Sequence, residues 1–318
     1  MSKRFLGLIL ALTLAVSVLG ALAGCATPPA EKPAEGTGTA PTAESARAKY
    51  LISVADLKAS PDKFFVIDAR DAKAYAAGHI AGAINLPWQP LATVAVGKPG
   101  DKDWGVLAAP QAIADALGKA GVDTAKTIVV YADPTGWGDD GRVVWSLQSI
   151  GLNGLMLDGG FPAWTAAGNT GSTDVPAVTP TTVTVAGDKL GDINVTTDQV
   201  KAAVADKSAK IIDARSEKEY GGATDFGEAR GGRIPSAFNI PFASLFNEDG
   251  TVKSDADLTK LFEDAGLAKG DAVVVYCTKG IRSAYMTELM RMVGFEKAKN
   301  YDASFYTWAG DSTLTVEK

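Results

Sequence analysis

The chain has 318 residues, enough for two domains of ordinary size, and 46% of them are hydrophobic, enough to bury sizeable cores. Its net charge is -6 at pH 7 and its pI is about 5.0. That acidic balance argues against a general nucleic-acid binder.

Residues 1–24 read as a leader and not as part of a fold. Lys3 and Arg4 form a positive start, residues 5–22 are nearly all apolar, and Leu22-Ala23-Gly24-Cys25 ends the run. The pattern resembles a bacterial lipoprotein signal, cleaved before Cys25, with Cys25 as the lipidated residue. An uncleaved membrane anchor is the alternative, since the apolar run approaches spanning length. Either reading holds the folded part at a membrane, in a bacterial cell envelope, facing the periplasm or the exterior. Residues 25–46 are rich in Ala, Pro, Thr, Glu and Gly, lack an apolar period and read as a disordered tether.

Beyond the tether the chain repeats itself. Val66-Ile67-Asp68-Ala69-Arg70 matches Ile211-Ile212-Asp213-Ala214-Arg215, and Ile80-Ala81-Gly82-Ala83 matches Ile234-Pro235-Ser236-Ala237. Ile128-Val129-Val130-Tyr131 matches Val273-Val274-Val275-Tyr276, and the stretch from Asp158 to Trp164 matches that from Asp302 to Trp308. Four blocks in one order mean two copies of a domain, at 47–168 and 186–318, joined by a linker at 169–185. In chain order, Phe64–Asp68, Thr127–Tyr131, Lys210–Asp213 and 272–276 read as short buried strands. Pro110–Lys119 and 256–265 read as helices between them. The alternation predicts an α/β fold, each copy a parallel sheet with helices on both faces.

The run 272–276 ends in Cys277, and a helix-like stretch follows from Ala284. At a strand-to-helix junction backbone N–H groups converge and the helix dipole is positive, which favours a thiolate. The chain's two cysteines are Cys25 and Cys277. With Cys25 lipidated, Cys277 is the one free thiol of the mature protein, and a lone thiol in an oxidising envelope needs a reason. An inert core cysteine is the alternative; Lys279, Gly280 and Arg282 beside it argue against that.

From about Tyr50 to Lys318 the chain resembles the tandem-domain rhodaneses, the thiosulfate/3-mercaptopyruvate sulfurtransferase family. The motifs that carry this are Asp-Ala-Arg in each copy, Gly78-His79-Ile80-Ala81-Gly82-Ala83, Gly231-Gly232-Arg233-Ile234-Pro235-Ser236-Ala237, the Cys277 loop, and Tyr301-Asp302-Ala303-Ser304-Phe305 through Trp308. The resemblance implies two rhodanese-like domains, the first silent and the second catalytic. In this chain Ala132 stands where the second copy has Cys277, and without a thiol the first copy cannot form a persulfide. The implied mechanism is ping-pong: Cys277 takes the outer sulfur of thiosulfate or a related donor, sulfite leaves, and a thiol, a protein acceptor or cyanide takes the sulfur from the persulfide. Thr278, Lys279, Gly280, Ile281 and Arg282 would bind substrate. The loop amides would cradle the persulfide, and the two cations would attract the anionic donor and lower the thiol's pKa. The place of Lys279 resembles thiosulfate-preferring members. Asp213 is implied near the active loop, and Arg215 reads as its structural ion-pair partner. A substrate arginine expected six residues after Asp213 appears as Glu219, leaving Arg230 or Arg233 as stand-ins.

His79, the only histidine, reads as structural. The long acidic loop at 132–141 reads as a wall or lid over the second copy's site. No His/Cys cluster has metal-ligand spacing, and no cofactor is implied. The partners implied are a small anionic sulfur donor, a thiol or protein acceptor and a membrane reached through the lipid, with no nucleic acid. Two competing readings remain. One is a low-turnover envelope carrier or binding protein for sulfur or selenium. The other is a phosphatase or arsenate reductase on the same fold, where five residues separate cysteine from arginine. Here four do, Thr278 to Ile281.

Overall fold

Each copy builds one sheet from its short β-branched runs. The protein is seen here as a computed structural model describing residues 46–318. The expected leader, Cys25 and the tether up to residue 45 lie outside the described residues.

The first sheet holds β1 (Leu51–Ile52), β2 (Phe64–Asp68), β3 (Ile84–Asn85), β4 (Thr127–Tyr131) and β5 (Gly154–Leu157), in the order β1-β5-β4-β2-β3. The second holds β6 (Lys210–Asp213), β7 (Phe238–Asn239), β8 (Val273–Tyr276) and β9 (Ala298–Asn300), in the order β7-β6-β8-β9. All pairings within both sheets are parallel. The crossovers carry α1 (Val54–Ala59), α2 (Ala72–Ala77), α3 (Pro110–Lys119), α4 (Asp139–Ser149) and α5 (Gly160–Ala166) in the first copy. In the second they carry α6 (Leu190–Ile193), α7 (Thr197–Asp206), α8 (Glu217–Tyr220), α9 (Asp255–Asp264), α10 (Ile281–Met292) and α11 (Ser304–Gly310). The helix expected at 256–265 starts one residue earlier because Ser254 caps it, its hydroxyl accepting from the Asp257 N–H at 3.1 Å.

Strand alternation sorts the core. In β8, Val273 and Val275, followed by Cys277, face one hydrophobic cluster, while Val274 and Tyr276 face another with Phe305 and Trp308. The first of these clusters runs through both copies, joining Ile67, Val130 and Leu147 to Val275, Met286 and Leu289. The copies therefore form one compact unit around a shared core. At its centre α4 packs on α10. A Cβ on Gly141 would lie 2.6 Å from the Tyr285 Cα, so only glycine allows the helices to approach this closely.

The repeat is also legible at the strand ends. Arg215 Nε donates to Asp213 Oδ1 (2.9 Å), Arg215 Nη2 donates to Asp213 Oδ2 (2.6 Å) and to the Gly232 carbonyl (2.7 Å), and the Tyr276 hydroxyl donates to Asp213 Oδ2 (2.6 Å). Asp68, Arg70, Gly78 and Tyr131 repeat the arrangement in the first copy. Each hub clamps the ends of two neighbouring strands with charge-assisted bonds buried away from water.

Candidate active site

β8 delivers Cys277 to the N-terminus of α10. Gly280, the cap of that helix, has φ 78, and a Cβ there would collide with the Asp302 carbonyl oxygen. The resulting turn aims the amides of Lys279 and Gly280 at the Cys277 Sγ, at 3.4 and 3.1 Å. The Ser283 hydroxyl lies 3.6 Å from the Sγ and donates to Asn300 Oδ1 at 2.7 Å. Behind the cysteine, its own N–H donates to Ser304 Oγ (3.1 Å) and its carbonyl accepts from the Phe305 N–H (3.1 Å).

Cys277 is 1% exposed and is the only free cysteine among the described residues. Burial pushes its thiol up. The Arg282 charge, together with the amide and hydroxyl donors of the loop, outweighs burial and holds the thiol below its ordinary value.

Arg282 does not present its guanidinium freely. Its Nη1 and Nη2 donate to Glu219 Oε2 (2.8 Å) and Oε1 (2.7 Å), and Nη2 also donates to Thr278 Oγ1 (2.7 Å). Thr278 donates in turn to Glu219 Oε1 (2.7 Å), and the Ser216 hydroxyl donates to Glu219 Oε2 (2.8 Å). Burial works against the Glu219 carboxylate, yet the Arg282 pair and these hydroxyls hold it down at about 2. Glu219, read from sequence as a lost substrate arginine, is the counter-ion that fixes Arg282 beneath the Trp137 ring, 4.8 Å from its centroid.

Lys279 is the cation left over. It is 5% exposed, and its Nζ has no hydrogen-bond partner among the described residues. Its stem packs so closely on Gly105 that a Cβ there would collide with the Lys279 Cε, and Nζ lies 5.8 Å from the Trp104 centroid. Burial lowers it to about 8 against the pull of Asp302, and the nearby Arg142 charge acts in the same sense as burial.

A cavity of about 410 Å³ opens over the cysteine. Cys277, Thr278, Lys279, Ile281 and Arg282 line it from the second copy, and Trp88, Trp104, Trp137 and Asp139 from the first. The acidic loop of the first copy thus forms part of the wall through Trp137, and burial pushes its Asp139 carboxyl up to about 6. Gly280 contributes through its amide.

Asp213 does not line the cavity. It is fully buried in the strand-end hub beneath, and both its oxygens are taken by Arg215 and Tyr276. Neither Arg230 nor Arg233 lines the cavity. Arg230 spends its guanidinium on the carbonyls of Trp308, Ala309, Asp311 and Leu314, and Arg233 lies over Tyr220 beside Glu317. His79 is buried in the first copy, stacked on Tyr75, with its ring nitrogens facing the Tyr75 and Asp174 carbonyls at 2.9 and 3.1 Å.

One further residue was not visible from sequence. Arg142, fully buried on α4, crosses between the copies. It forms an ion pair with Asp302 and donates to the Gly280 carbonyl (3.3 Å) and the Gly105 carbonyl (3.4 Å). Asp302 Oδ2 accepts from the Leu107 N–H at 2.7 Å. The copy without a thiol therefore holds the cysteine loop of the copy that has one. Only the two acids beside Arg142, Asp139 and Asp140, drew notice to that segment of sequence.

The sequence matches the Rhodanese-like domain family twice, at residues 53–167 and 196–311. It is 33% identical over 255 residues to "Putative thiosulfate sulfurtransferase 1" of Mycobacterium bovis, covering 77% of this chain and 88% of that one. It is 29% identical over 255 residues to "Sulfur carrier protein TtuD" of Thermus thermophilus, covering 77% and 87%. Among solved structures it is similar to SseA of Escherichia coli, a 3-mercaptopyruvate sulfotransferase. The TM-score is 0.69 and the identity 23%, over 80% of this chain and 98% of that one, a likeness of fold. A cysteine at a helix N-terminus, twin parallel sheets and a family match over most of the chain agree: this chain belongs to the rhodanese family of sulfurtransferases, as two Rhodanese-like domains in tandem.

Proposed function

We propose that the protein moves sulfane sulfur from thiosulfate, or a related anionic donor, to a thiol or cyanide through a persulfide on Cys277. The observation that carries this reading is the Cys277 thiol, held below its ordinary pKa by Arg282 and loop amides, facing a cavity lined by Lys279, a cation with no hydrogen-bond partner among the described residues. The Cys277 thiolate attacks the outer sulfur of the donor, the S–S bond of the donor breaks, and its electron pair leaves with sulfite. The outer sulfur then sits at the positive end of α10, where the Lys279 and Gly280 amides stabilise its charge. Lys279 pairs with the donor's oxyanion. We propose further that Cys25 carries lipid and tethers the enzyme to a bacterial envelope membrane.

A low-turnover sulfur carrier is the second reading. The Glu219 ion pair supports it, because it cancels much of the Arg282 charge that would speed donor attack, and so does the name of the Thermus relative. A phosphatase fits poorly, since the four-residue spacing is short and Arg282 is already bound to a carboxylate.

The test is thiocyanate formation from thiosulfate and cyanide by protein lacking residues 1–25, beside Cys277→Ala. Turnover in the first and none in the second is expected, and equal activity in both sinks the assignment. Stoichiometric persulfide on Cys277 with almost no turnover favours the carrier. Loss of membrane association in full-length Cys25→Ser checks the anchor.

A further inference from the structure

The cavity over Cys277 is much larger than thiosulfate requires. At about 410 Å³ it falls among pockets that enclose organic ligands. Its walls are aromatic on both sides: Trp88, Trp104 and Trp137 from the first copy, Phe226 and Tyr306 from the second. Trp137 and Phe226 meet edge to face across the cleft with centroids 4.8 Å apart, and they remain 43% and 38% exposed. Rings left bare beside a reacting atom favour a flat apolar body and do little for a compact, strongly hydrated oxyanion.

The polar anchor is Lys279, whose Nζ is buried and without a partner among the described residues. A donor oxyanion satisfies it in the first half-reaction. Once sulfite has left, the ammonium is unpaired again, and an acceptor bearing its own anion would relieve that cost. In ping-pong chemistry the acceptor enters the same cleft after the donor's remnant has gone.

We infer that the acceptor is an organic thiol with an aromatic body and a carboxylate, the carboxylate on Lys279 and the ring against Trp137 and Phe226. This rests on the sulfurtransferase reading above. The acceptor gives its thiol proton to solvent, and its thiolate attacks the outer sulfur of the Cys277 persulfide. A new S–S bond forms on the acceptor, the bond to Cys277 breaks, and its electron pair stays on Cys277 as thiolate. The first copy, which has no cysteine, then acts in specificity, because it supplies three of the five rings.

The test uses purified full-length protein, thiosulfate as donor and three acceptors, 4-(mercaptomethyl)benzoate, its amide and 3-mercaptopropionate, with each kcat/KM referred to the concentration of the thiolate form because the benzylic thiols are the more acidic. The expected kcat/KM for the aromatic acid exceeds both others by about tenfold. The advantage over mercaptopropionate falls toward parity in Trp137→Ala and in Phe226→Ala, and the advantage over the amide falls toward parity in Lys279→Gln. Because these are ratios of acceptors on one protein, a general loss of activity in a variant leaves them readable. Equal values for the three thiols, or a ring advantage that neither aromatic variant changes, overturns the inference. Cyanide as a further acceptor separates the failures. Thiocyanate formation without preference among the thiols overturns the acceptor assignment alone; no Cys277 persulfide and no thiocyanate overturns it together with the sulfur-transfer reading.

Discussion

At the scale of residues, the site rests on an unequal pair of cations. Arg282 is bound to Glu219 and works as a fixed local charge, whereas Lys279 lines the cavity and its buried Nζ has no hydrogen-bond partner among the described residues. Lys279, held at about 8, is protonated at neutral pH and loses its charge as pH rises through that value. The kcat/KM for thiosulfate is therefore expected to fall above about pH 8. In Lys279→Gln it should drop about tenfold and lose that falling limb, because the titrating cation is gone; a pH–rate profile that keeps the limb would contradict the assignment. Glu219→Gln removes the negative charge beside Arg282 and leaves its field on Cys277 uncompensated. The expected result is a fall of about one unit in the thiol pKa, read as the midpoint pH of iodoacetamide alkylation at Cys277. Cys277 was legible because an apolar strand ended in it. The role of Glu219 was not, because its partner lies 63 residues away and only folding brings the two together.

At the scale of elements, helix α4 of the first copy braces the cysteine loop of the second. Arg142 binds Asp302 and the Gly280 carbonyl, so α4 helps set the turn whose amides hold the sulfur. Arg142→Met leaves Asp302 buried and unpaired, which costs about 3 kcal/mol and lowers the melting temperature. The double variant Arg142→Met/Asp302→Asn removes the stranded charge. It is expected to recover most of that stability while kcat for cyanide stays down about tenfold with little change in KM. Recovery of both together would make Arg142 a stability residue only. Strands β2, β4, β6 and β8 and helices α3, α9 and α10 were legible because their apolar runs are strong, whereas the two- and three-residue strands and the four-residue helices are too short to show a period. The Arg142 clamp was hidden because a basic residue in a helix looks the same in sequence whether it meets water or an aspartate of another domain.

At the scale of the whole molecule, the two copies share one core across α4 and α10, and buried acids sit at that contact. Asp140 is buried near Tyr285, and Glu288 accepts from Gln148 Nε2 at 2.7 Å. Burial pushes both carboxyls up to about 7, from 3.8 for Asp140 and 4.5 for Glu288. Between these ordinary values and about 7 the folded chain binds more protons than the unfolded one, so stability falls as pH rises through that window. The melting temperature is expected to increase as pH is lowered from 8 to about 5.5, and Glu288→Gln should flatten part of that slope. A melting temperature that rises with pH over this range would count against the contact as described. The shared core also predicts a single calorimetric transition for both copies together.

Sequence alone determined the duplication and the α/β class, and it singled out Cys277 and the copy that carries it. Those follow from local patterns: β-branched runs, repeated strand-end motifs, and a cysteine placed where a helix begins. Only the tertiary structure decided which charges meet and what the cavity is made of. Glu219 became a counter-ion, Asp213 moved beneath the site, Arg142 entered from the other copy, and the aromatic walls came from both. The physical reason is range. Hydrophobic periodicity acts over a few residues and is written along the chain, whereas ion pairs and cavity walls join residues far apart in sequence and exist only once two domains have packed on a common core.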